Sequence, residues 1–123
     1  MTNIYKYGVS DRMSQIAVCG DFAWLSGQIA SESRSGDIQA QTLEVLDSID
    51  KLLVRIGRDR SHLVSATIWL ASMQDFADMN HVWVDWLGSA VPPARATVQA
   101  GLAFPDLKVE IQVVVAMKAD APD

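Results

Sequence analysis

Only one cysteine, Cys19, occurs in the 123 residues, so no disulfide can close within the chain. That absence excludes a disulfide-stapled scaffold and fits a reducing, cytoplasmic location. Cys19 sits in an apolar run with no neighbouring cation and reads as a buried, inert thiol. Histidine is nearly as scarce. His62 and His81 lack companion cysteines and metal-ligand spacing, so no metal site and no histidine pair for acid–base work is expected. Basic residues are outnumbered, 10 Lys and Arg against 15 Asp and Glu, and the net charge of −5 argues against a nucleic-acid partner. No apolar run approaches the length of a bilayer span, and no basic segment with an apolar stretch behind it opens the chain. Neither a membrane partner nor a secretory leader is therefore expected. Gly20, Gly27 and Gly36 have neither dinucleotide-binding nor phosphate-loop spacing. Repeats and low-complexity tracts are also missing.

What is present is apolar residue, half of the composition, enough for one compact domain spanning residues 1–123. Residues 4–9, 14–19 and Phe22–Ile29 are β-compatible runs, with Gly20-Asp21 as a tight turn between the second and third. Val45, Leu46, Ile49, Leu52, Leu53 and Ile56 recur at helical spacing, which predicts a helix from Asp37, as its capping end, to Ile56, with Gly57 as the stop. Leu63–Leu70 reads as a strand presenting Val64, Ala66, Ile68 and Leu70 on one side. Asp75–Leu87 reads as a second helix, halted by Pro92 and Pro93, which launch an extended segment. Lys108–Met117 is the most apolar strand and is expected at the sheet centre; Ala119–Asp123 is expected to fray.

The order is thus β-β-β-α-β-α-β-β, an α+β fold with two helices on one face of a mixed sheet. The opposite face would carry Arg95, Thr97, Gln112, Val114 and Ala116, too mixed for comfortable exposure, so oligomerisation through it is expected. Four tryptophans in so small a chain are ordinary core material one by one, though some are expected between subunits.

Arg95 and Glu110 each interrupt an apolar, strand-like run, in Pro93-Ala94-Arg95-Ala96-Thr97-Val98 and Lys108-Val109-Glu110-Ile111-Gln112-Val113. Paired as a hairpin, these segments would bring a cation and a carboxylate together on one polar face. The plain alternative is a cross-strand ion pair worth roughly 0.2–1 kcal/mol. The chemical reading is a minimal active site, a guanidinium for a substrate carboxylate and an acid to move protons.

Ser26-Gly27-Gln28-Ile29, Asn80 after Phe76-Ala77-Asp78-Met79, Pro93-Ala94-Arg95 and Val109-Glu110-Ile111 together resemble the YjgF-type reactive intermediate deaminase (Rid) family. The resemblance runs from Arg12 to about Ala116. It implies a chorismate-mutase-like fold assembled as homotrimers, with sites in clefts between subunits. It also implies hydrolysis of enamines and imines such as 2-aminoacrylate to 2-oxo acids and ammonia, with no metal or organic cofactor. Arg95 falls on the arginine that grips the substrate carboxylate and Glu110 on the acid that handles water. Ser26 and Asn80 fall on polar positions lining the pocket, and Thr97 on a substrate-binding position. Two places depart from the family pattern. Met13 stands where a tyrosine is common, two residues before Gln15, and Thr97 stands where many members carry cysteine. The missing phenol leaves a second functional reading open, in which the same cleft binds a small carboxylate or a partner without turnover.

Overall fold

The computed structural model describes residues 3–118, so the frayed tail expected at Ala119–Asp123 lies outside the described residues. The strands are β1 (Ile4–Val9), β2 (Ser14–Cys19), β3 (Phe22–Leu25), β4 (Gln28–Ile29), β5 (Leu63–Leu70), β6 (Ala94–Gln99) and β7 (Val109–Ala116). The helices are α1 (Ile38–Arg55) and α2 (Phe76–Leu87). The order matches the β-β-β-α-β-α-β-β expectation, with the third run broken into β3 and β4 at Ser26-Gly27.

Local chemistry sets these boundaries. The Asp37 carboxylate caps α1 by accepting from the Ala40 amide at 2.9 Å, and Gly57 beyond its end adopts φ 68°, open to glycine at little cost. Gly20, at φ 62°, turns β2 into β3 as the sequence predicts.

The sheet runs β1-β2-β3-β7-β5-β6, with β4 also on β7. The most apolar strand, β7, is therefore interior. Its Val109, Ile111, Val113 and Val115 are buried under Val45, Leu46, Ile49 and Leu53 of α1 and Met79, Val82 and Trp83 of α2. Both helices lie on this one face.

Three expectations are corrected. First, β6 and β7 do not form a hairpin: β6 pairs in parallel with β5, which separates it from β7. A strand, a helix and a second strand make a crossover unit, and such strands align in parallel, so α2 decides the pairing. Secondly, Arg95 and Thr97 lie opposite the buried Ala66 and Ile68 of β5 and so share the helix-covered face. The uncovered face carries Ala94, Ala96 and Val98 instead. Gln112, Val114 and Ala116 do lie on the uncovered face, with Phe22 and Trp24. Thirdly, a register shift between Leu63 and Ser65 turns Val64 away from Ala66, Ile68 and Leu70 and leaves it exposed.

The tryptophans divide. Trp83 and Trp86 are core residues, whereas Trp24 keeps 43% of its surface on the uncovered face. Cys19 is half-buried there rather than enclosed.

Candidate functional site

Glu110 alternates with buried Val109 and Ile111 and so leaves β7 on the uncovered face. It lines a cleft of about 400 Å³ with Met13, Gln15, Ser26, Gly27, Ile29 and Ala103. The break between β3 and β4 makes this cleft. At Ser26-Gly27 the chain leaves the regular ladder, and its polar groups are recovered locally. The Ser26 amide donates to the Gln15 carbonyl at 2.9 Å and the Ser26 hydroxyl to Gln15 Oε1 at 3.1 Å. Gln28 Nε2 donates to Gln15 Oε1 at 3.2 Å and to the Ser26 carbonyl at 2.9 Å. Gly27 lies hard against the Glu110 carboxylate. A Cβ built there would collide with Oε2 and fall 3.0 Å from Cδ. Glycine is needed here for close approach rather than for an unusual φ. Burial raises the Glu110 carboxyl above its ordinary pKa of 4.5, moving it towards the range in which a carboxyl both gives and takes protons.

Arg95 belongs to a second cluster. Its guanidinium lies 5.8 Å from the Phe76 ring centre and 5.7 Å from that of Trp83, both on α2. Asn80 sits between these residues on the same helical stripe, four residues past Phe76 and three before Trp83. Burial lowers the Arg95 pKa below its ordinary value, a desolvation cost for a cation that has no carboxylate within ion-pair distance among the described residues. Thr97, two residues along the same face of β6, holds a buried hydroxyl oxygen without a hydrogen-bond partner among the described residues. A desolvated cation beside an unsatisfied hydroxyl is an arrangement that an anionic, hydrogen-bonding ligand would complete.

The five site residues thus fall into two groups. Ser26 and Glu110 line one cleft with Gly27, Gln15 and Met13; Arg95 lies against Phe76 and Trp83, with Thr97 next on its strand face and Asn80 on the helical stripe of the two rings. Arg95 stands opposite Ala66 and Glu110 opposite Trp69 on β5, on opposite faces and two strand spacings apart, roughly 10 Å sideways. No movement of side chains alone unites them within one chain. Phe76, Trp83, Gln15 and Gly27 were not singled out as site residues by sequence reasoning. The aromatic pair seven residues apart, on the stripe that carries Asn80, is the signal that points to the first two. Among the described residues no three His, Cys, Asp or Glu side chains converge as metal ligands.

Comparison with known proteins agrees with this architecture. Residues 6–117 match the family model described as endoribonuclease L-PSP. A RutC family protein of Haemophilus influenzae is 41% identical over 105 residues, 85% of this chain and 90% of that protein. A YjgF family member from Neisseria meningitidis superposes with a TM-score of 0.89 at 36% identity, covering 97% of this chain and 98% of that one. A conserved Rid family protein of unknown function from Yersinia pestis gives a TM-score of 0.80 at 27% identity, covering 88% and 90%. The fold and its two clusters define a YjgF-type α+β protein. The chain belongs to the YjgF/Rid family, also described as the L-PSP family.

Proposed function

We propose that this protein hydrolyses small imine and enamine acids to 2-oxo acids and ammonia, at clefts formed between copies of the chain in a homotrimer. The observation that carries the reading is Arg95, a desolvated cation without an anion partner among the described residues, two positions from Thr97, whose buried hydroxyl also lacks a partner among them. Its guanidinium would take a substrate carboxylate through two parallel hydrogen bonds, fixing orientation as well as charge. Ser26, Gly27 and Glu110 of a neighbouring copy would then face the reacting carbon.

The chemistry needs little more than placement, because an imine conjugated to a carboxylate is already electrophilic. Water adds to the imine carbon, forming a C–O bond while the C=N π pair moves to nitrogen. Glu110 accepts the proton released by water and delivers it to nitrogen. Glu110 then takes the hydroxyl proton of this carbinolamine and passes it to the amino nitrogen; the C=O double bond forms as the C–N bond breaks, ammonia leaves, and protons and charges balance without an external oxidant or reductant. An enamine enters the same sequence once a proton is added at its terminal carbon. A carboxyl with a raised pKa serves both directions of proton transfer better than one at its ordinary value. Holding substrate and water together supplies a further part of the rate.

The test is ammonia and 2-oxo acid release from 2-aminoacrylate generated in situ, with wild type beside Arg95→Ala. Wild type should exceed the spontaneous rate and the variant should not, with its fold intact because Arg95 makes no ion pair among the described residues. Charge-assisted hydrogen bonds of about 1.5–3 kcal/mol imply roughly a 10- to 150-fold loss of carboxylate affinity. Equal rates for the two proteins would remove Arg95 from the mechanism.

Met13, which lines the Glu110 cleft in place of a phenol, favours the second reading, a carboxylate-binding site without turnover. Binding of 2-oxo acids by a protein that accelerates none of a panel of imines would select it.

A further inference from the structure

Arg95 poses a problem that the reaction scheme does not address. A long, flexible, half-buried cation with no carboxylate in ion-pair reach among the described residues should sample many rotamers, yet binding a carboxylate by a bidentate fork requires one of them. Its charge lies over two aromatic rings, Phe76 and Trp83. Trp83, 4% exposed and tilted against Trp86 with ring centres 5.6 Å apart, is fixed in the core and cannot move with a ligand. Phe76 is different. It opens α2, keeps 37% of its surface exposed and lies with its ring 5.8 Å from the guanidinium. A cation is drawn to the face of an aromatic ring, and two such faces together narrow where the guanidinium lies. A ligand then meets donors already arranged, and less rotamer freedom is lost on binding.

Resting on the reading of Arg95 as the carboxylate anchor, we infer that Phe76 is a positioning residue for that arginine and acts selectively on anionic ligands. It does this through Arg95 rather than through contact with the reacting atoms. Its loss should therefore weaken acids and spare uncharged analogues of the same shape, which mere loss of a pocket wall would not do.

The experiment compares binding of 2-oxobutyrate and its uncharged amide, 2-oxobutyramide, to wild type, Phe76→Leu and Phe76→Tyr by calorimetry. Phe76→Leu should weaken the acid about three- to tenfold, the range of a partly exposed cation–π contact, while the amide changes by less than about twofold. Phe76→Tyr, which keeps a ring face, should bind the acid within about twofold of wild type. In an Arg95→Ala background the leucine substitution should have no further effect on the acid. With 2-iminobutyrate as substrate, Phe76→Leu should raise KM more than it lowers kcat. Equal losses for acid and amide would make Phe76 only a wall and overturn the inference, as would an unchanged affinity for the acid. A wild-type protein that binds the acid no better than the amide would overturn the anchor reading and this inference with it.

Discussion

At the scale of single residues, burial acts on both key charges and in each case disfavours the ionised form. For Glu110 the consequence has a definite sign. Its carboxyl holds a proton more tightly in the folded protein than at the ordinary value of 4.5, so the folded state binds more protons between those two pKa values. Stability is therefore highest below about pH 4.5 as far as this group is concerned, falls as pH rises through the folded pKa, and is level above it. Glu110→Gln has no charge to desolvate. Relative to wild type, its stability should improve from about pH 4 to pH 7, as read from urea midpoints at fixed protein concentration. A difference independent of pH would mean that Glu110 is solvated like a surface carboxylate. The same substitution should slow imine hydrolysis roughly 10²- to 10⁴-fold, the usual share of a positioned acid–base group. Arg95 and Glu110 could be picked from the sequence because each is a charge in an apolar run. Their surroundings could not, since Phe76 and Trp83 come to Arg95 from another element.

At the scale of elements, the broken third strand positions the Glu110 half of the proposed site. Ser26 and Gly27 leave the ladder, Gln15 and Gln28 recover the hydrogen bonds, and the missing side chain of Gly27 leaves room for the Glu110 carboxylate. Gly27→Ala should therefore displace that carboxylate rather than unfold the chain, because the group in its way is the end of a flexible side chain. Activity should fall at least tenfold with little change in thermal midpoint; full activity would show that the carboxylate has other places to go. The helices were legible because apolar spacing, the Asp37 cap and the Gly57 stop all agree. Strand partners were less so. With no helix between them, β6 and β7 invite a hairpin, and only the weight given to the helix between β5 and β6 predicts the parallel pair that forms. That misassignment reversed the face of Arg95. The break within Phe22–Ile29 was also invisible, because the residues on both sides of Ser26-Gly27 are good strand formers and no proline marks the gap.

At the scale of the whole molecule, one sheet face is packed under helices and the other is not. Phe22, Trp24, Val98 and Val64 are all more than 40% exposed, an apolar surface that a second copy would cover. The two residue clusters lie on opposite faces of one sheet, and the proposed mechanism requires that they meet between copies. Arg95→Ala and Glu110→Gln chains, each inactive alone, should be unfolded together in equal amounts, refolded, and assayed for imine hydrolysis after mass tags confirm mixed assemblies. In a closed ring, a site is intact when Arg95 comes from one variant and Glu110 from the other, so about a quarter of wild-type activity should return. Subunit exchange without any recovered activity would show that Arg95 and Glu110 do not act across an interface, and would contradict the account.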